Sequence, residues 1–529
     1  MKKVVIQRDA YFDSVFLMLI NRDVRQVAGV ADAVVAMGTE MNVGLLLDLG
    51  YPQADLREAT PNDLILAVEA EDPETIEKAL EAARRLLVAR KEASEGGTYR
   101  PVSLETAFKM LPDSNLVIVS VPGAYAAREA RKALMHGRHV MLFSDNVAIE
   151  QEIELKNLAR ERGLLMMGPD CGTAIINGKP LCFANSVSRG NIGLVSASGT
   201  GLQEVSCCID RLGGGITQAI GTGGRDLQID RVGGTMMLMG IEALRDDPLT
   251  GVIVVISKPP APAIAEKVLE ALEQTGKPCV VHFIGLENPE RLRRPKRSGQ
   301  GKSRLHFPLS LEDAAVRAVA LATGREPDAR SFLVDEEEMR KRVERETEGM
   351  ASGQRYLRGL FTGGTLADEA LILFDREIGS VYSNNQLKPE LKLSDPHTSR
   401  GHTVVDLGDD VFTVGRPHPM IDPSVRVERI EREMKDPEVA VLHLDLVLGY
   451  GAHSDPAGAL LEALEKAKGC VGERGGYLAV VASVTGTAGD YQNMEEQREK
   501  LASAGCVVMP SNYQASRLAL EIVKKRIDQ

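Results

Sequence analysis

The stretch NIGLVSASGTGLQE, residues 191–204, decides how the rest of this sequence is interpreted. An apolar strand leads into a turn of small residues, and a helix is predicted to begin near Leu202. Such a turn presents unpaired backbone N–H groups and the positive end of the helix dipole, which favours phosphate or carboxylate. The predicted anion-binding residues of this first anion loop (196–201) are Ser196, Ser198, Gly199 and Thr200. A capped turn without a ligand is the alternative.

A second anion loop (362–365) repeats the pattern. Residues 359–370, GLFTGGTLADEA, again run from strand to helix, with Thr362, Gly363, Gly364 and Thr365 in the turn. Further along, IEALRDDPLTGVIVVI (241–256) resembles IEREMKDPEVAVLHLD (430–445) in the order of helix, Asp-Pro turn and apolar strand. An internal repeat of one architecture follows from these matches. We expect the two loops to face one shared anion.

Composition limits the class of protein. The 529 residues allow three or four domains, and 43% hydrophobic content without Trp suits an α/β protein. A net charge of −12 argues against nucleic acid as a partner. Seven scattered cysteines without a CxxC pair indicate reduced thiols. With no signal sequence and no apolar run of membrane-spanning length, a cytoplasmic location without membrane contact is expected.

The order of predicted strands and helices indicates an α/β chain of four domains. Residues 1–92 read β-α-β-α-β-α, which predicts a small α+β, ferredoxin-like domain before a polar linker. Residues 100–190 alternate short apolar runs with helices, as in a Rossmann-like domain, but no Gly-x-Gly-x-x-Gly motif supports dinucleotide binding. The repeats fill residues 191–325 and 355–527.

Further site residues are predicted where strands end, because ligands bind at the carboxyl ends of parallel strands. GTGGRD (221–226) combines backbone donors with a guanidinium and forms a third anion cradle. Its predicted ligand-binding residues are Thr222, Gly223, Gly224 and Arg225. A substrate pocket is predicted from Asp170, Cys171, Asn384, Tyr450, Gly451 and His453.

The loop GDDVFTVGRPHPMID (408–422) is the predicted catalytic segment. Its prolines restrict the backbone around Arg416, His418 and Asp422, and His418 is the candidate for acid–base chemistry. A hydrogen-bonded loop histidine without a catalytic role is the alternative. No HExxH or CxxC pattern suggests a metal, and no Walker A motif suggests nucleotide hydrolysis by a P-loop.

These motifs resemble the succinyl-CoA synthetase (NDP-forming acyl-CoA ligase) superfamily. VPGAYAAREA (121–130), GPDCGTA (168–174) and residues 191–204 are similar to the ligase α subunit, and DPEVAVLHLDLVLGYGA (436–452) to the carboxyl-terminal domain of its β subunit. RDAYFDSV, GRPHPMID and GYGAHSDPAGA resemble the FdrA branch. The resemblance implies a CoA-binding-type domain at 100–190 followed by two flavodoxin-like domains.

Departures from the ligase pattern alter the expected activity. The ligases carry a phosphohistidine in a Gly-His-Ala-Gly loop, whereas this chain reads RSGQGKSRLHFPLSLED (297–313) there. A glutamate of the second phosphate-binding loop is replaced by Ser257-Lys258-Pro259-Pro260, and the ATP-grasp domain and the first CoA-binding loop are missing. The chain alone is therefore not expected to make an acyl-CoA from ATP.

The resemblance to FdrA implies a carbamoyltransferase subunit that acts on oxamate, with other chains, in allantoin breakdown. Backbone donors would hold carbamoyl phosphate, Arg225 or Arg416 the acceptor carboxylate, and His418 would manage the proton. Two alternatives stay open. In the first, the chain is a CoA ligase or CoA transferase subunit that binds an acyl-CoA and needs a separate ATP-grasp chain. In the second, it is a non-catalytic scaffold or metabolite sensor. The sequence assigns no cofactor, and CoA stays open as a ligand.

Overall fold

The computed structural model describes residues 1–527 except 9, 11, 13, 57, 95–100, 287–303, 326–333, 387, 414 and 415. Contacts divide the chain into two units, one of residues 1–112 with 413–417, the other of residues 113–412 with 418–529. None of the helices in the described ranges has the length and apolar content that crossing a bilayer requires.

The N-terminal unit is a three-stranded antiparallel sheet with helices. Its strands are β1 (Lys2–Gln7), β2 (Val30–Met37) and β3 (Leu64–Ala70), in the order β1-β3-β2. Its helices are α1 (Ser14–Arg25), α2 (Glu40–Asp48), α3 (Gln53–Leu56), α4 (Pro73–Ser94) and α5 (Leu104–Met110). The central strand β3 is almost wholly buried because apolar clusters cover both faces of the sheet. The predicted α+β series is confirmed, with α3 and α5 added.

The second unit begins with a small parallel sheet. Strands β4 (Leu116–Val119), β5 (His139–Leu142) and β6 (Met166–Met167) are joined by the crossover helices α6 (Gly123–Met135) and α7 (Ile149–Glu161). Helical crossovers make neighbouring strands parallel, which the alternation of apolar runs and helices predicted.

A seven-stranded sheet follows, in the order β13-β12-β11-β9-β10-β7-β8. Its strands are β7 (Thr173–Ile176), β8 (Lys179–Cys182), β9 (Arg189–Ser196), β10 (Ile216–Gly221), β11 (Val252–Ser257), β12 (Cys279–Phe283) and β13 (Leu305–His306). Its helices are α8 (Gly199–Arg211), α9 (Arg225–Gln228), α10 (Thr235–Asp246), α11 (Pro262–Gln274) and α12 (Leu311–Thr323). The hairpin β7–β8, which falls within the predicted 100–190 domain, joins this sheet antiparallel to β10.

The last sheet has six parallel strands in the order β15-β16-β14-β17-β18-β19. Its strands are β14 (Tyr356–Phe361), β15 (Val381–Ser383), β16 (His402–Asp406), β17 (Val439–Val447), β18 (Ala479–Thr485) and β19 (Val507–Met509). Its helices are α13 (Glu336–Thr347), α14 (Gly364–Glu377), α15 (Asp410–Thr413), α16 (Ser424–Glu433), α17 (Gly458–Glu473), α18 (Met494–Ser503) and α19 (Asn512–Ile527).

The strand orders confirm the internal repeat and the predicted α/β class. The parallel strands β13-β12-β11-β9-β10 match β19-β18-β17-β14-β16 in both sheet position and chain order, as in flavodoxin-like folds. One apolar core joins the halves, with Leu202 and Val205 of α8 beside Leu366 and Ala370 of α14. This core places the amino-terminal ends of α8 and α14 together.

Candidate functional site

The two anion loops lie against each other. The Ser198 and Thr365 hydroxyl groups are hydrogen-bonded. A Cβ atom added to Gly363 would lie 3.1 Å from the Cβ of Thr200. The starts of α8 and α14 therefore lie side by side, and we call the region around these two helix starts the cleft.

The first loop uses its serines internally and leaves the following residues accessible. Ser198 Oγ accepts the Gly201 amide at 2.9 Å as the helix cap, and Ser196 Oγ donates to the Ser198 carbonyl at 2.7 Å. This cap starts α8 at Gly199, so the predicted start near Leu202 is wrong by three residues. Both serines are buried, whereas Gly199 is exposed and Thr200 half-buried. An external anion would meet this loop at Gly199 and Thr200.

The second loop is already occupied by a carboxylate of the chain. Asp445, at the end of β17, accepts the amides of Thr362 and Gly363 at 2.8 and 2.7 Å. The Arg426 guanidinium binds the same carboxylate at 2.8 Å. Sequence reasoning missed Asp445, which lies far along the chain from the loop.

Asp406 lies beside the start of α14. A Cβ atom on Gly364 would lie 2.5 Å from its Oδ2, so only glycine fits there. Its carboxylate accepts the Gly408 amide at 2.9 Å and the Asn385 side-chain amide at 3.0 Å. The predicted pocket residue Asn384 is buried and binds the Asp406 backbone from both ends of its amide, at 3.0 Å each. Asn384 thus positions Asp406.

Lys258 is a positively charged residue of the cleft. Its Nζ lies 2.7 Å from Oδ2 of Asp368 on α14, and the charges of Asp406 and Asp170 also act on it. Lys258 belongs to the SKPP sequence that replaces the ligase glutamate. The sequence shows this replacement, but it does not show that Lys258 contacts Asp368.

Two carboxyl groups of the cleft titrate near neutral pH. Burial, opposed by the charge of Lys258, raises the pKa of Asp406 to about 7. Desolvation and the nearby Asp145 and Asp410 carboxylates raise the pKa of Asp170 to about 6, although solvent reaches this side chain. Asp406 is therefore suited to accept a proton near pH 7.

His418 is neutral at that pH. Burial and the neighbouring Arg426 charge lower its pKa to about 4. Its Nδ1 accepts the Met420 amide at 3.2 Å, which assigns the ring proton to Nε2, the atom facing Gly408. A neutral imidazole of this kind donates a hydrogen bond but is a weak base.

The other two predicted catalytic residues are Asp422 and Arg416. Asp422 Oδ1 accepts the Ser424 amide at 3.0 Å, at the start of α16. Arg416 is exposed and belongs to the segment 413–417 of the first unit. The catalytic roles of Arg416 and Asp422 stay predictions.

The third anion cradle is tightly packed. Arg225 is about one-third exposed and its Nη2 lies 2.9 Å from Oε2 of Glu152 and 2.8 Å from the Val147 carbonyl. Gly223 has a φ of +83°, and a side chain there would overlap the Pro169 carbonyl. Thr222 is buried, Gly224 half-buried, and burial raises the pKa of the Cys171 thiol to about 12. Cys171 therefore lies in the core beside the cleft as a protonated thiol.

A buried lysine anchors this cradle. Lys156 Nζ donates to Glu152 at 2.8 Å, to Asp226 at 2.7 Å and to the Thr222 carbonyl at 3.1 Å. The three charged side chains are at most 1% exposed. In sequence, Glu152 and Lys156 look like an ordinary surface pair one helical turn apart, so this network was missed.

Backbone contacts connect the predicted pocket residues of the GYGAHSD loop (449–455) to residues 182–184 and to Met420. The Tyr450 amide donates to the Ala184 carbonyl at 3.0 Å, and Gly451 packs against residues 182–183. The His453 amide donates to the Met420 carbonyl at 2.7 Å. The loop is thereby fixed to the segment that carries His418, while the Tyr450 side chain is exposed.

The two repeats also cap each other's helices. Glu204 of α8 accepts the Asn512 amide, at the start of α19, at 3.1 Å. Glu369 of α14 accepts the Leu311 amide, at the start of α12, at 2.8 Å. Both glutamates are the sixth residue of their helix. Each glutamate supplies a hydrogen-bond acceptor to a helix-start amide of the other half, so each half stabilises the other.

This arrangement predicts a pH-dependent stability. Burial and the neighbouring Glu204 and Glu312 raise the pKa of Glu369 to about 7, so the folded state holds this proton more tightly than the unfolded state does. Stability then falls as pH rises from about 4.5 to 7, by up to about 3 kcal/mol for this group. In Glu369→Gln, urea unfolding from pH 4.5 to 8 should show a shallower fall than in the wild type.

The matched control is Glu377→Gln on the same helix. Glu377 is partly exposed, and its hydrogen bond with Lys524 lowers its pKa, so its carboxyl group titrates below this pH range. Equal slopes for the wild type and Glu369→Gln would contradict the prediction.

Comparisons with known families agree with this architecture. The family model described as CoA-ligase matches residues 360–522, and that of the CoA binding domain matches residues 187–285. Residues 1–101 match a model described as AllF, heavy metal-associated domain. These 101 residues contain neither Cys nor His, so the domain offers no thiolate or imidazole ligand. The fold and the two CoA-related matches support a relationship to the succinyl-CoA synthetase superfamily, with an acyl-CoA ligase-type architecture.

Within that class, the chain belongs to the family of the uncharacterized protein YahF of Escherichia coli (strain K12). The two are 44% identical over 526 residues, 99% of each chain. Subunit alpha 2 of the ADP-forming succinate–CoA ligase of Archaeoglobus fulgidus is 25% identical over 217 residues, 40% of this chain and 72% of that one. The solved dinucleotide forming acetyl-coenzyme A synthetase 1 of Ca. Korarchaeum cryptofilum aligns with 78% of this chain and 83% of its own, at 16% identity and a TM-score of 0.31.

Proposed function

We propose that this protein is an FdrA-type subunit of a carbamoyltransferase, which converts carbamoyl phosphate and oxamate to oxalurate and phosphate in allantoin catabolism. The observation that carries the proposal is the contact between two helix starts, in a sequence that reads RSGQGKSRLHFPLSLED (297–313) where the ligases carry their phosphohistidine motif. A substrate that is already an acyl phosphate does not need a phosphohistidine. The AllF-type match at residues 1–101 supports the link to allantoin.

The residues suggest a division of roles. The phosphate would bind at Gly199 and Thr200, where the helix dipole and the first amides favour negative charge. The acceptor nitrogen forms a bond to the carbamoyl carbon, the bond from that carbon to the phosphate oxygen breaks, and Asp406 takes the nitrogen's proton. His418 Nε2 would donate a hydrogen bond to the developing oxyanion.

The acceptor carboxylate is assigned to Arg225, whose guanidinium keeps part of its surface open although it already binds Glu152. Charge balance supports this assignment, because the cleft around Lys258 is rich in carboxylates and an added anion needs a cation nearby.

The second candidate is an acyl-CoA ligase subunit that works with a separate ATP-grasp chain. The similarity to a succinate–CoA ligase alpha subunit and the CoA-binding match favour it. In that case CoA and a second protein chain would complete the site.

The experiment is a phosphate-release assay on the chain purified with its co-purifying partner chains. Carbamoyl phosphate is supplied with oxamate, without oxamate, and with CoA in place of oxamate. Oxamate-dependent release of phosphate is expected, with calorimetry showing no tight CoA binding. Acyl-CoA formation that requires ATP and CoA would contradict the proposal and support the ligase alternative.

A further inference from the structure

The carboxylate of Asp445 has the surroundings of a bound anion. It is buried, and it accepts the amides of Thr362 and Gly363 directly before the start of α14. The Thr362 hydroxyl lies at 3.3 and 3.2 Å from its two oxygens, and Arg426 Nη2 at 2.8 Å. Two backbone amides at a helix start, a hydroxyl and a guanidinium are the donors with which proteins bind phosphate or carboxylate ligands.

The equivalent position of the first half carries no such group. Strand register places Ile256 beside Ser196, at the end of the strand that precedes the first loop. In the second half, the pairing of Leu360 with Leu444 places Asp445 beside Phe361, one residue further along both strands. The first-loop amide that corresponds to Thr362, that of Ala197, donates instead to the Ile256 carbonyl at 3.0 Å. The second half thus supplies a carboxylate, that of Asp445, to its own loop, whereas the first half has Ile256 at the equivalent position.

We propose that Asp445 is a permanent internal ligand of the second anion loop, and that it confines an external anionic group to the first loop. The cleft then accepts one phosphate or carboxylate at its helix starts rather than two. The position of that external anion rests on the proposed function, whereas the occupation of the second loop by Asp445 does not.

The test replaces the internal ligand by a soluble one. Asp445→Ala in the full-length chain removes the carboxylate and leaves space of about the size of formate beside Arg426. Thermal unfolding is measured in sodium formate and in sodium chloride at equal ionic strength. In chloride, Tm should fall by several degrees, and formate should restore it with a saturable dependence. The wild type should have the same Tm in both salts.

Two controls make the result specific. Asp490→Ala removes another buried carboxylate, which accepts the amides of Ser186 and Thr487 and, among the described residues, pairs with no arginine. It should show no recovery specific to formate. The double variant D445A/R426M should lose the recovery, because the cation that attracts formate is gone. A D445A protein that formate does not stabilise beyond the D490A control would overturn the inference.

If D445A does not fold, two further measurements test whether Asp445 is the internal ligand of the second anion loop. Asp445→Asn keeps the volume but not the charge, and should lower Tm; wild-type stability of D445N would overturn the inference. Calorimetry of Arg225→Met, in which the third cradle has lost its cation, with inorganic phosphate should show one site per chain, and two sites would also overturn it. Formate recovery in D445A without phosphate binding by R225M would instead refute the anion position of the proposed function, while the internal ligand stands.

Discussion

Asp406→Asn should lower kcat for carbamoyl transfer by about two to four orders of magnitude, the usual contribution of a positioned general base. Asp406 is the carboxyl group beside the start of α14, and its pKa of about 7 allows it to accept a proton at neutral pH. His418, with a pKa near 4, is a much weaker base. The measurement is the pH dependence of kcat/KM, whose limb near pH 7 should disappear in the variant.

The free energy of unfolding of D406N distinguishes a chemical role for Asp406 from a structural one. The ionised carboxylate is costly when buried, so D406N should unfold at pH 8 with a free energy no lower than that of the wild type. The Asn385 amide can rotate to present its oxygen to the new amide, which preserves this contact. Asp395→Asn, in a surface turn of the same half, should keep full activity. Wild-type turnover by D406N would remove Asp406 from the mechanism.

Lys156→Met should be the most destabilising of these single substitutions. Removing one partner of a buried ion pair costs about 3–5 kcal/mol, because the remaining charges stay buried without compensation. Here the remaining charges are Glu152 and Asp226, and the Thr222 carbonyl also loses its donor. The measurement is the urea midpoint of the second unit, followed by circular dichroism.

The control for Lys156 is the same substitution at an exposed lysine. Lys466 pairs with Glu462 at 2.7 Å on the surface of α17, where water screens the interaction, so Lys466→Met should change the midpoint little. The triple variant K156M/E152Q/D226N should recover part of the lost stability, because no uncompensated charge is left. A K156M midpoint equal to the wild type would show that the network is not structural.

Features set by local sequence were predictable. The repeat, the two anion loops and the parallel strands follow from turn residues and apolar runs over short distances, such as residues 199–204 and 364–369. The start of α8 was predicted too late because small polar residues resemble a loop until the Ser198 cap is seen.

Features that depend on sheet order were not predictable. Asp445 reaches the second loop because β17 lies next to β14, and Lys258 reaches Asp368 because the starts of α8 and α14 meet. Neither adjacency can be derived from spacing along one chain. The catalytic roles predicted for Arg416, His418 and Asp422 stay predictions, whereas the bond from the Ser424 amide to Asp422 at the start of α16 became visible only in the structure.

The exchange of helix caps by Glu204 and Glu369 limits how the two halves of this protein can move. Separating the halves would strip the Asn512 and Leu311 amides of their acceptors at once, deep in an apolar core. A clamshell opening of the cleft is therefore energetically unfavourable. We therefore expect a ligand to reach the helix starts without separation of the two halves.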